Sequence, residues 1–450
     1  MWAIGSDRVS YIDVRDGGWK EVARENAPAY LSDDLKFIDP ETHKKVGGAT
    51  FEGMNSDEVD LELMDNYGEK YRLRIANGIY SAVDRDNVLY ANFGNGVFAF
   101  ALNDQENPSA GIKIKYMMEN AIEEIGAADK GAVLCGLTMT YDGFLVINFS
   151  NGIAVVDRTL DSIKSMLSFE NEKTSNSVAI DEKNGIYLAT DTKMRKLVWT
   201  GTELSDEEAY GAWSSSYDFS EETPPIVKHT TGTGSTPTLM GFGDDADRLV
   251  VITDGCKQMN LVAFWRDEIP ESFVHKPGTK SRRIAGQIPV TCGFDTPPAW
   301  IQSEQSVVVR GYGAFVVNNL PFDADNMEKL NNILGVTTLG PVYPPSYGVE
   351  RFRWNTENHQ WESVWNRTDV SSTSMVPIHS QASSMAVVSG YYKDGWEITG
   401  MDWDTGEIVH RTLFGKSNYG NGSYAIIQFL PTGDLLFNSL VGPYRVNYEN

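Results

Sequence analysis

A strand–turn–strand unit that recurs along the whole chain restricts its folding more than any other feature. The clearest copy, GLTMTYDGFLVINFSNGIAVVDR at 136–158, separates three short apolar strands with YDG and SNG turns. Asp and Asn close such turns because their short side chains bond the backbone just ahead, and Gly accepts the positive φ that a tight reversal needs. SNSVAIDEKNGIYLATDTKMRKLVW at 175–199 repeats the pattern, as do SAVDRDNVLYANFGNGVFAFAL at 81–102 and STPTLMGFGDDADRLVVITDGCKQMNLVAFW at 235–265. Three further copies run through DTPPAWIQSEQSVVVRGYGAFVV at 295–317, VPIHSQASSMAVVSGYY at 376–392 and the C-terminal stretch 423–446.

The seven copies begin near residues 78, 137, 177, 236, 296, 377 and 423. A four-stranded propeller blade takes roughly 40 to 50 residues, and the excess goes into loops. The dipeptides Thr236-Pro237 and Thr296-Pro297 fall at equivalent points of neighbouring units. The expected fold is therefore all-β, a single β-propeller domain over 1–450 with about seven four-stranded blades. The last unit has three strands, and one of the strand-like segments at 2–4, 9–14 or 19–23 is expected to complete it, closing the ring and removing exposed edges. Segment 321–345, bounded by prolines, breaks the repeat and reads as a loop insertion over one face. Helical periodicity is confined to short stretches at 115–125 and 325–334.

Charge narrows the partners. A formal net charge of -24 with no basic stripe repels phosphate backbones, so the expected partner is a small neutral or cationic molecule and not nucleic acid; a protein partner stays open. No apolar run approaches the roughly 18 residues of a membrane helix, which reads as a soluble protein without membrane insertion. The opening MWAIGSDRVSYIDV has neither a charged n-region nor an apolar h-region, so no export signal is read there. Cys135, Cys256 and Cys292 have no metal-ligand spacing, although Cys256 and Cys292 come from adjacent units and could pair.

SNSVAIDEKNGIYLATD resembles the inner-strand signature of gluconolactonase (SMP-30-like) and strictosidine-synthase-like propellers. RFRWNTENHQWESVW at 351–365 and GMDWDTGEIVHRTL at 400–413 look like quinoprotein-dehydrogenase-type blades. The first resemblance implies one divalent cation, Ca²⁺ by its preference for flexible oxygen donors, held at the channel mouth by carboxylates and asparagines. Asn176 matches the family's inner-strand asparagine, and Asp254 and Asp295 are the carboxylates it suggests. The family's first-blade glutamate has no counterpart that can be assigned. Asn and Asp next to Gly also serve simply as turn caps, the competing reading for all three.

Inner strands of a propeller line its channel, so polar residues at their starts should converge. That reasoning selects Ser177, Thr236, Thr238, Thr296, Ser380, Asn421 and Ser423 for substrate contacts. His229 and His379, the two histidines beside inner-strand starts, become candidate general bases, since imidazole titrates near neutrality. The competing and more common role for each is a hydrogen-bonded tie between blades. The GTGSTP stretch leads into a strand and lacks the helix N-terminus that cradles phosphate. Trp354, Trp361, Trp365, Trp396 and Trp403 stand at strand spacing, as inter-blade packing or, alternatively, as a sugar-binding platform. The first functional expectation is a periplasmic or secreted hydrolase of a lactone or small ester. A non-catalytic binding or scaffold propeller and a quinone-dependent oxidoreductase are the alternatives.

Overall fold

The computed structural model describes residues 1–15, 18–28, 41, 54–68, 77–127, 131–330, 332–373, 375–422, 424–440 and 442–448. Among them the chain forms eight antiparallel sheets in sequence, at 2–26, 81–118, 134–168, 179–216, 238–289, 308–367, 378–415 and 428–446. Consecutive strands pair in each, except that in the fourth sheet Trp213–Ser216 returns to pair with Lys193–Trp199, and these sheets are the blades of a β-propeller. Five sheets have four strands, the fourth has five, and the first and last have three.

The expected count of seven is thus corrected to eight blades, not uniformly four-stranded. The strands Trp2–Ile4, Arg8–Asp13 and Lys20–Asn26 pair with one another and make a sheet of their own; they do not join the last sheet, whose three strands are Gln428–Phe429, Leu435–Ser439 and Gly442–Val446. The first sheet escaped the repeat because a long segment without the Asp/Gly turn separates it from the second. It carries a structural mark of the repeat nonetheless. A β-bulge interrupts its register between Tyr11 and Ile12, as one does between Ala99 and Phe100, Val155 and Val156, Ala263 and Phe264, and Arg351 and Phe352 on the strand that pairs with the outermost strand of other blades. An extra residue there sharpens the local twist.

Strand position explains the hydrophobic patterns. Middle strands such as Leu145–Phe149 and Gly152–Val156 are buried along their whole length and read as continuous apolar runs, since neighbouring sheets cover both faces. Outer strands such as Ile163–Ser168 alternate, one face being wet. Apolar cores lie between successive sheets: Met240, Val251, Phe352 and Trp354 fill the gap between the fifth and sixth, and Phe315, Val388, Met401 and Trp403 that between the sixth and seventh. The repeated aspartates are Asx-turn caps. Asp84 Oδ1 accepts from the amides of Asp86 and Val88, Asp181 from Lys183 and Gly185, and Asp402 from Asp404 and Thr405.

The expected helix at 115–125 is instead the strand Ile112–Met118 followed by one turn, Ala121–Glu124, and that at 325–334 moves to Asn332–Thr338. The twelve-residue helix Ser56–Tyr67 had no amphipathic signature. Its start is capped by Asn55, whose Oδ1 accepts from the amides of Asp57 and Glu58 while Glu58 returns a carboxylate oxygen to the Asn55 amide. No helix among the described residues is long and apolar enough to cross a membrane.

Contact clustering divides the chain into two compact units, one of 1–43, 61–186 and 197–212, the other of 44–60, 187–196 and 213–450. In the second unit, residues of the proline-bounded segment, Ala324, Val336 and Leu339, pack with Leu320 onto Ile226, Val227 and Trp300.

Candidate functional site

In the second unit the segments that lead into the inner strands do come together, through residues adjacent to those the sequence reading chose. Lys228 is only 3% exposed and donates to the carbonyl of Thr233 at 2.5 Å, so the glycine-rich stretch curls around its ammonium group. Burial pushes its pKa from 10.5 down to about 8, against the opposing pull of Glu304 and Asp254. Glu304, 7% exposed, accepts from the His229 amide at 2.8 Å. Burial drives its carboxyl upward, more strongly than His229 and Lys228 draw it down.

Two features show why the local sequence takes this form. Gly234 has φ +67°, and a Cβ there would lie 2.6 Å from Glu304 Oε1, so glycine is needed for conformation and for space. Val227 at φ +78° and Tyr424 at φ +58° are left-handed without being glycine, and the Tyr424 hydroxyl donates to the Val227 carbonyl at 3.4 Å. For a β-branched residue that conformation is strained by about 1–3 kcal/mol, held in place by surrounding contacts. Burial, and next Glu304, raise the Tyr424 phenol well above its ordinary range.

The residues singled out from the sequence fall around this cluster in different ways. His229 joins it through its backbone while its residue surface is exposed. Thr236 is half-buried, and Thr238 Oγ1 donates to the Val307 carbonyl at 2.8 Å, tying the inner strands of the fifth and sixth sheets. Asn421 is fully buried and donates to the Thr337 carbonyl at 2.9 Å. Ser380 bonds Ser383 across a local turn, Asp295 and Thr296 are exposed, and Ser423 lies outside the described residues. In the first unit, Asn176 Oδ1 accepts from the Ser177 amide at 2.9 Å and the Tyr80 hydroxyl at 3.5 Å.

Asp254 behaves like the other turn aspartates. Its Oδ1 accepts from the amides of Cys256 and Asn260, and its Oδ2 from the Asn260 carboxamide at 2.6 Å; burial lifts its pKa to about 6. The residues named for a cation do not fit one: Asp254 spends both oxygens on its turn, Asp295 is exposed in another turn, and the Asn176 oxygen is engaged locally. Among the described residues no three of His, Cys, Asp and Glu are placed to hold a metal ion. Cys135, Cys256 and Cys292 are free thiols.

His379 has a different setting. It sits on the inner strand Ile378–Ser380 and lines a cleft of about 510 Å³ with Ser306, Arg310 and Gln381, between the inner strands of the sixth and seventh sheets. Its ring meets Trp403 edge-on at 4.8 Å, and Nε2 is buried with no hydrogen-bond partner in the protein. Burial, then the Arg310 charge, lower its pKa, so the imidazole is neutral at pH 7. Arg310, exposed on its strand, donates to Ser384 Oγ.

Lys228, Glu304, Tyr424 and Arg310 were missed in the sequence because the search took polar residues at strand starts, and these lie a few positions to either side. A lysine followed by glycines, and a glutamate inside the apolar strand approach IQSEQSVVV, were the available signals.

No family model matches the chain. A protein of Archaeoglobus fulgidus, described as uncharacterized, is 31% identical over 432 residues, covering 92% of this chain and 79% of that protein. Among solved structures, BamB from Moraxella catarrhalis shares 10% identity over 81% of this chain and 94% of its own, with a TM-score of 0.47. Saccharomyces cerevisiae Sqt1 shares 11% over 83% of each chain at 0.49, and a candidate 6-phosphogluconolactonase from Bacteroides fragilis shares 13% over 76% and 83% at 0.42. These are likenesses of fold alone.

Proposed function

The chain belongs to the family of that Archaeoglobus fulgidus protein, and we propose that it binds a small molecule and hydrolyses a lactone or small ester in the cleft lined by His379 and Arg310. The observation that carries this reading is an imidazole whose pKa is lowered by burial, lining a cleft of ligand size together with a guanidinium. His379 takes a proton from the water that attacks the carbonyl carbon and returns it to the alkoxide as the acyl C–O bond breaks, while Arg310 faces the negative charge that grows on the carbonyl oxygen. Ser306 and Gln381 supply hydrogen bonds that orient the ring or acyl group.

The experiment is hydrolysis of p-nitrophenyl acetate and of a δ-lactone by the wild type, His379→Gln and Arg310→Met. Loss of the base should lower kcat/KM by about 10²–10⁴-fold, with far-UV circular dichroism unchanged. Because burial lowers the His379 pKa from its ordinary 6.5, the acid-side fall of the wild-type rate should come at a lower pH than a free imidazole would give. An unaffected His379→Gln variant rejects this site. No turnover of either substrate leaves the non-catalytic binding propeller as the reading.

A further inference from the structure

Three Asn-x-Ser/Thr triplets, the acceptor pattern for N-linked glycans, occur in the chain, at Asn148, Asn366 and Asn421. The fold separates them. Asn148 and Asn421 are wholly buried, and their carboxamide nitrogens donate to the carbonyls of Asn176 at 2.7 Å and Thr337 at 2.9 Å. A sugar joined to either nitrogen has no room in an interior packed as densely as an organic crystal.

Asn366 stands in the opposite setting. It is the penultimate residue of Gln360–Arg367, the outermost strand of the sixth sheet, and both it and Thr368 are exposed. Its carboxamide makes no hydrogen bond among the described residues, and its oxygen lies beside Gly293, where a Cβ would stand 2.1 Å away. Arg367, between the two, is held aside by Asp369 at 2.7 Å and by the Gly406 carbonyl at 3.2 Å. The asparagine nitrogen and the threonine hydroxyl, the groups that define the acceptor, are thus at the surface and uncommitted. This strand pairs on one side only within its sheet, and Val364, two positions before Asn366, is exposed. Solvated bulk at Asn366 would therefore also shield an edge open to pairing with another chain.

We propose that Asn366 is an N-glycosylation site. Its carboxamide nitrogen attacks C1 of an oligosaccharide carried on a lipid phosphate; the N–C1 bond forms, the C1–O bond to phosphate breaks, the lipid phosphate leaves and the amide gives up one proton. The reaction takes place on exported chains and is independent of hydrolysis in the His379 cleft. The test is peptide mapping by mass spectrometry of the full chain purified from its own cells, with Thr368→Ser, Thr368→Ala and Asn366→Gln produced there alongside. The wild-type peptide that holds Asn366 should carry a glycan, seen by its added mass and by sugar fragment ions, while those that hold Asn148 and Asn421 stay bare. Thr368→Ser should keep the glycan; Thr368→Ala and Asn366→Gln should lose it with unchanged far-UV circular dichroism. The wild-type map decides by itself, so the test stands even where a variant does not accumulate. An unmodified Asn366 peptide, or a glycan on Asn148 or Asn421 in its place, overturns the inference.

Discussion

Replacing Lys228 with methionine should change how stability depends on pH, and the direction follows from the lysine's burial. The fall of its pKa from 10.5 to about 8 means that between those values the unfolded chain holds a proton the folded chain has released. Stability therefore rises with pH across that window, and below about 8 the charged lysine exacts its full cost, about 3 kcal/mol. Lys228 is almost wholly inaccessible, so screening does not dilute the figure. Urea denaturation at pH 7.5 and 9.5 samples most of the change: Lys228 should contribute about 2 kcal/mol of added stability at the higher pH. Lys228→Met keeps the linear stem, loses the titration and should lack that increment, while every other group that titrates there is shared. Parallel pH dependences for the two proteins would refute the view that Lys228 is buried as a charged group. A larger rise in the variant would do the same.

Gly395→Ala should lower stability by about 2–4 kcal/mol in urea melts, since φ is +109° and a Cβ would lie 2.1 Å from the Gly415 carbonyl carbon, backbone that cannot swing aside. An effect near zero would mean that the Gly395 turn is not built this tightly. Burial holds the Cys135 and Cys256 thiols up at about 12 and raises the Cys292 thiol well above its ordinary value. A thiol-specific disulfide reagent at pH 8 should accordingly label the native protein slowly and three thiols after denaturation; prompt native labelling would contradict that burial.

Much of the blade was legible because it is local chemistry. An aspartate that caps a four- or five-residue turn does so within its own segment, and Asp84, Asp181 and Asp402 do what their surroundings in the sequence indicate. Middle strands buried on both faces announce themselves as unbroken apolar runs, as at Leu145–Phe149. The same local signal served two readings of Asp254, since a turn cap and a ligand are the same residue beside the same glycine. The hydrogen bonds from Cys256 and Asn260 show that it caps its turn.

The sequence by itself determined the all-β class, the repeat and the turn chemistry, since each depends on contacts between residues a few positions apart. The number of blades had to come from the tertiary structure, because only the pairings show that the first three strands form a sheet of their own and do not complete the last one. So did the site. Whether Lys228 is a solvated surface cation or a buried one near pH 8, and whether His379 is a tie or a base, depends on desolvation and on neighbours such as Glu304, Arg310 and Trp403, tens of residues away along the chain. Burial by distant segments sets the energy of a charge, and no window of sequence contains it.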